Sequence, residues 1–286
     1  VAEVTRAIVH AVPQALARCE LTFVARQPID VGRARAQHRD YCALLADCGL
    51  AVEVVDSSPD HPDAVFVEDA AVVLDEVAIA CAMGAPSRRG EVEALLPALA
   101  RHRPVRRIGA GTLEGGDVLR VGRTLFVGRS ARTDDAGIAA LAAIAGPLGY
   151  RVVPVAVHGC LHLKTACTAL ADDVLLANPA WVDLAPFAGM RTVAVDPAEP
   201  FAANILRLPG TLLGSASCPR TAAAVRALGL PLRCAEISEF EKAEGGVTCL
   251  ALVVAARRHL AAGSPSMARA ASSSAGAAPG LPNTTS

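Results

Sequence analysis

The chain has 286 residues, of which 52% are hydrophobic and 19% charged, so a sizeable core is available and global disorder is excluded. A formal net charge of −1 argues against a surface built to neutralise nucleic-acid phosphates or anionic lipid. No apolar run approaches the roughly 20 residues a membrane helix needs.

Nine cysteines stand at scattered spacings with no Cys-x-x-Cys, which reads as small buried hydrophobes in a reducing cytosol rather than a disulfide framework. No basic, apolar, small-residue export signal follows the opening valine. The expected compartment is the cytoplasm.

In chain order, Leu21 to Ala25 reads as a strand. A helix follows with Ala34, His38, Tyr41, Leu45 and Cys48 on one face; Gly49 stops it, and Ala51 to Val55 forms the next strand. Four hairpins with two-residue turns come next: 71–74 with 77–80, 118–121 with 124–127, 167–171 with 174–177, and 205–208 with 211–214. Each precedes a helical stretch (Glu91 to Arg101, Asp134 to Leu148, Trp181 to Phe187, Arg220 to Leu228), with Asp134 or Thr133 the N-cap of the second. A further strand closes each unit, at 105–108, 152–157, 192–195 and 232–237. Val247 to Ala256 is a last strand. Beyond it, 263–286 is almost all Ala, Ser, Pro, Gly and Thr and is expected to be a disordered tail on a 1–262 catalytic domain.

Four copies of strand-strand-helix-strand, each about 40 residues long, are repeat-scale periodicity. A fifth copy is divided between the chain ends, which closes a ring without an open edge. The expected fold is a closed, five-bladed α/β propeller. A doubly wound open sheet is the alternative, but it expects one strand per helix.

Each unit places a polar residue at or just before its first hairpin strand. These are Glu68-Asp69, Glu114, His162, Asn204 and, in the divided unit, Cys249. In a ring of equivalent units such positions converge on the axis. A thiol beside an imidazole can serve as nucleophile and proton shuttle. Several carboxylates around them suit a planar cation with many N–H donors, which points to attack of sulfur on a guanidinium carbon.

Seven segments in order resemble those of the dimethylarginine dimethylaminohydrolases of the pentein (amidinotransferase-like) superfamily. They are Pro62 to Asp69, Ser87 to Glu91, Leu113-Glu114-Gly115-Gly116-Asp117, Ser130 to Thr133, Leu161-His162-Leu163-Lys164-Thr165, Ala202-Ala203-Asn204, and Ser238 to Cys249. The resemblance implies hydrolysis of Nω-methylated L-arginine to L-citrulline and a methylamine, with no cofactor, through a covalent thiouronium on Cys249. It gives His162 the proton-transfer role, and Glu114 the role of orienting guanidinium and histidine. It places Asp69 on the guanidinium nitrogens with Glu68 and Asp63 beside it. It has Arg88 and Arg132 anchor the substrate carboxylate, and the backbone carbonyls of Leu21, in a flap-like loop, and of Ala243 accept from the α-amino group.

Other readings stand beside this one. A zinc site would use the alternation His158-Gly159-Cys160-Leu161-His162, but no fourth ligand is evident, so no metal is expected. The function alternatives are another guanidine-modifying pentein hydrolase, such as an arginine deiminase, and a non-catalytic binding homologue. A small-molecule substrate is expected, with no nucleic acid or membrane partner; a homodimer is left open.

Overall fold

The computed structural model describes residues 4–255, so the expected tail at 263–286 lies outside the described residues. Its strands form five separate three-stranded sheets, the blades of the expected α/β propeller. Blade one comprises β3 (Ala71–Val73), β4 (Ala78–Ala80) and β5 (Val105–Arg107). Blade two comprises β6 (Val118–Val121), β7 (Thr124–Arg129) and β8 (Arg151–Ala156). Blade three comprises β9 (Cys167–Ala169), β10 (Val174–Ala177) and β11 (Arg191–Ala194). Blade four comprises β12 (Leu206–Leu208), β13 (Thr211–Ser215) and β14 (Leu232–Ala235). In each, the middle strand pairs antiparallel with the first and parallel with the third.

The fifth blade joins the two ends of the described chain. Its strands are β15 (Leu252–Ala255), β1 (Val4–His10) and β2 (Ala51–Val55), and β1 sits in the middle with the same pairing pattern. This corrects the expectation for its N-terminal strand. Leu21 to Ala25 is not a strand; it is a loop that bends at Thr22 to Val24. The β-rich composition of Leu-Thr-Phe-Val-Ala is real, but the slot beside β2 and β15 is already filled by β1, whose Ala7, Ile8 and Val9 are fully buried.

The connecting helices lie outside the blades for local reasons. Helix α1 (Val31–Asp47) is capped by Asp30, whose side chain accepts from Arg33 N–H, and it buries Ala34, His38, Tyr41 and Leu45 along one face. Helix α2 (Arg89–Ala100) turns Val92, Leu95 and Leu99 inward. In α3 (Asp135–Ala145), Asp134 is the cap and accepts from Gly137 N–H. Blade three has only a single short turn, Ala185–Phe187, at that place, and blade four has α5 (Pro219–Ala227). Two further one-turn helices, α4 (Leu163–Ala166) and α6 (Ser238–Glu241), belong to the loops that face the axis or its rim. No described helix is long and apolar enough to cross a membrane.

Candidate active site

Equivalent loops, one per blade, deliver the polar residues. Glu68 and Asp69 lie in a 3-10 turn, Val67–Ala70, that runs straight into β3. Glu114 precedes the turn Gly115–Asp117 that enters β6. His162 precedes α4, which enters β9, and Asn204 lies just ahead of β12. Cys249 sits in the turn leading to β15, where its backbone N–H reaches Gly246 O at 3.2 Å.

Hydrogen bonds between neighbouring loops lock these turns around the axis. Glu68 N–H donates to Cys249 O at 3.2 Å, and Leu163 N–H donates to Asp117 Oδ1 at 2.9 Å. Thr168 Oγ1 donates to Ala203 O at 2.6 Å, and the Asn204 amide donates to Lys164 O at 3.1 Å. Thr248 N–H returns to Asn204 Oδ1 at 2.9 Å. Blades one and two meet through close packing: a Cβ on Gly115 would stand 1.9 Å from Glu68 O, so only glycine fits.

His162 is nearly inaccessible, and both of its ring nitrogens face carboxylates. Nε2 lies 2.7 Å from Glu114 Oε2 and Nδ1 lies 3.7 Å from Asp69 Oδ1. Burial opposes a charge on the ring, but Asp69, Asp117 and Glu114 outweigh it and raise its pKa to about 9. The same pairing keeps Glu114 and Asp69 below the usual carboxylate range, against the burial that pushes them up. The site therefore holds an imidazolium between two carboxylates at neutral pH.

Cys249 is buried, and its Sγ accepts from Gly246 N–H at 3.3 Å. Burial, then the nearby Glu68 and Asp69, push the thiol up to about 12. Glu68 is tied down behind it, with Lys164 Nζ on one oxygen and Thr248 Oγ1 at 2.6 Å from the other. Burial nevertheless raises the Glu68 carboxyl, with Lys164 and Thr248 pulling the other way.

One small pocket is lined by seven of the residues nominated from the sequence: Asp63, Asp69, Arg88, Arg132, His162, Ala243 and Cys249. Glu114 is fully buried behind His162, and Glu68 is buried beside the Cys249 turn. Leu21 is half-buried in the loop near the rim, packed against the core that contains Cys249. The two arginines reach inward. Arg132 Nη1 lies 3.3 Å from Glu114 Oε1. Arg88 Nη1 lies 2.7 Å from Asp69 Oδ2, while its Nη2 lies 2.9 Å from Glu91 and also donates to the carbonyls of Asp63 and Phe66. Asp69 Oδ1 is a buried carboxylate oxygen without a hydrogen-bond partner among the described residues.

All nine cysteines are free. His158 is exposed and Cys160 is buried with its Sγ toward His162 O, so the alternation His158-Gly159-Cys160-Leu161-His162 does not gather its side chains. Among the described residues, the grouping compact enough to hold a cation is instead Asp69, Glu114 and His162, with ligand atoms within 4.8 Å of one another.

A protein-family model described as "N,N dimethylarginine dimethylhydrolase, eukaryotic" matches residues 25–179. An N(G),N(G)-dimethylarginine dimethylaminohydrolase of Streptomyces coelicolor is 40% identical over 256 residues, covering 86% of this chain and 96% of that one. The chain belongs to the dimethylarginine dimethylaminohydrolase family.

The namesake from Pseudomonas aeruginosa is 34% identical over 226 residues, covering 78% of this chain and 89% of its own. A solved structure of the Pseudomonas aeruginosa enzyme, a mutant complexed with citrulline, superposes with a TM-score of 0.83 at 30% identity, covering 88% of this chain and 99% of that one. Within this family frame, the structure adds residues that sequence reasoning did not nominate. Lys164 and Thr248 fix Glu68, Asp117 braces the His162 loop, Glu91 shares Arg88, and Thr133 Oγ1 accepts from Glu114 N–H at 3.1 Å. Of these, only Glu91 carried a local signal, three residues beyond Arg88 on the first turn of a helix.

Proposed function

We propose that this protein hydrolyses Nω-methylated L-arginine to L-citrulline and a methylamine through a covalent intermediate on Cys249. The observation that carries the reading is the unpartnered Asp69 Oδ1. It is buried in the same pocket as the Cys249 thiol and lies 3.7 Å from the His162 ring. A buried carboxylate oxygen without a donor is costly on its own and fits the N–H groups of a planar cation.

The chemistry follows from the charges. A bound guanidinium supplies the positive charge that the thiol lacks in the free site, so the thiol loses its proton to solvent on binding. The thiolate attacks the guanidinium carbon. His162 gives its proton to the methylated nitrogen as that C–N bond breaks, leaving an S-alkylthiouronium and a neutral amine. The neutral imidazole then takes a proton from water, and the hydroxide adds to the same carbon. The adduct collapses to the ureido group of citrulline as the C–S bond breaks, and sulfur takes up the remaining proton. Glu114 orients the ring for both transfers.

Arg88 and Arg132 answer the substrate carboxylate, and the carbonyls of Leu21 and Ala243 its ammonium, with Asp63 and Glu68 completing the acidic wall. On this reading a single catalytic domain, 1–262, carries the activity. Nine free cysteines fit a reducing cytoplasm, and the near-neutral net charge fits a small-molecule substrate rather than nucleic acid or membrane.

Citrulline release from dimethylarginine, monomethylarginine and arginine tests the reading. Release from the methylated forms is expected. Release from arginine alone would move the chain to an arginine deiminase activity, and none from any would make it a binding homologue.

A further inference from the structure

Among the described residues, Glu244 is the one non-glycine residue in left-handed backbone, with φ of 60°. An L side chain is disfavoured there, and the glycines that follow at 245 and 246 would accept such a turn more readily. The conformation aims the Glu244 carboxylate at the loop between Glu20 and Asp30. There it gathers three consecutive backbone donors: Thr22 N–H at 3.0 and 3.1 Å from its two oxygens, Phe23 N–H, and Val24 N–H at 2.7 Å. Successive amides converging on one anion form a nest, and charge-assisted bonds of this kind are strong.

Burial does not hold this loop tip. Phe23 is 45% exposed and Thr22 is exposed as well. The flanks of the loop are tied elsewhere: Arg26 donates to the carbonyls of Ala17 and Cys19, and Lys242 Nζ donates to Pro28 O at 3.1 Å. At the tip, the one further tie among the described residues is a 3.5 Å approach of Arg132 Nη2 to Thr22 Oγ1. Glu244 and the adjoining Ala243 and Gly245 all line the pocket of Cys249 and His162.

We propose that Glu244 is the latch of this loop: a positioning residue that holds residues 20–30 over the pocket and sets Leu21 opposite Ala243. A single carboxylate joins the strand-preceding turn of the nucleophile to the loop from the other end of the chain. The catalytic consequence, tighter grip on the amino-acid end of the substrate, rests on the reading given under Proposed function. The latch itself does not.

Hydrogen exchange of the amides at 22–24, read by mass spectrometry on the whole chain, tests the latch without reference to activity. The variants are Glu244→Gly, which keeps the left-handed backbone and removes the carboxylate, and Glu244→Gln, which keeps the length and removes the charge. Exchange at 22–24 is expected to speed up by about tenfold or more in Glu244→Gly and by less in Glu244→Gln, with β6 to β8 unchanged. KM for dimethylarginine should rise by about tenfold while kcat changes by less than about threefold. Unchanged exchange at 22–24 in Glu244→Gly overturns the latch. Faster exchange with KM unmoved overturns its coupling to substrate. If the wild type turns over no methylarginine, the functional reading fails, and the exchange data still decide on the latch.

Discussion

His162 Nε2 stands 2.7 Å from Glu114 Oε2, although the two residues enter from different blades and are 48 positions apart in the chain. That contact fixes the ring and leaves its other nitrogen facing Asp69, whose charge, with those of Asp117 and Glu114, favours the protonated ring. The reactivity of the pocket depends on this alignment, and so do the expectations below.

Removing the thiol should abolish turnover and spare the fold. Cys249→Ser keeps the volume and the Gly246 N–H contact but offers a far weaker nucleophile. Steady-state citrulline release is expected to fall by at least about a thousandfold, with an unchanged denaturation midpoint. Residual activity within about tenfold of wild type would remove Cys249 from the nucleophile role.

Glu114→Gln should lower kcat/KM by about 10²-fold or more, because the ring loses the partner on its Nε2 and the pocket loses a buried negative charge. The imidazole pKa should fall as well, since Glu114 contributes to raising it. An NMR titration of the ring that shows the same pKa in both proteins would contradict the arrangement.

The two arginines should separate. Arg88 is wrapped by Asp69, Glu91 and two carbonyls, so Arg88→Ala strands buried carboxylates and is expected to cost about 3–5 kcal/mol of stability. Glu114 keeps Gly84 N–H and His162 when Arg132 is lost, so Arg132→Ala should cost about 1 kcal/mol or less and act mainly on KM. Urea denaturation beside steady-state kinetics reads both; equal stability losses would refute the distinction.

Gly116 marks a place where a single methyl group should damage the site more than the fold. A Cβ there would stand 2.6 Å from both Asp69 Oδ1 and His162 Nδ1. Gly116→Ala is expected to push these two apart and reduce kcat by about tenfold or more. Wild-type kcat in that variant would show that their spacing does not matter.

Stability should fall on the alkaline side through His162. Its folded pKa, about 9, lies above the ordinary 6.5, so the charged ring stabilises the native state fully below pH 6.5, and that contribution is lost as pH rises through about 9. Between these limits the unfolding free energy of the wild type should drop more than that of His162→Asn. Parallel curves for the two proteins would mean the ring is not held as an imidazolium.

The repeat was legible because hairpin punctuation survives in a single sequence. The paired runs 118–121 and 124–127, for example, are β6 and the start of β7, and Asp134 caps α3 as its position before Ile138 and Leu141 suggests. The equivalence of the loop positions directs Asp69, Glu114, His162 and Cys249 to one axis. What sequence pattern mistook was the strand beside β2. Leu21 to Ala25 has β composition, but its amides turn to the carboxylate of Glu244, a contact 220 or more positions away that no local pattern carries. Separations of 180 and 46 positions likewise hid Thr248 on Glu68 and Asp117 on Leu163, whose meaning exists only once the blades close.

The most direct measurement is the mass of the intermediate. Acid quenching of the wild type during turnover of dimethylarginine stops the reaction before water reaches the thiouronium. Peptide mapping of the quenched protein is expected to place the substrate, less its dimethylamine, on Cys249, with none on a Cys249→Ser control. The same mass on another cysteine, or an unmodified Cys249 while the wild type turns substrate over, would contradict the account.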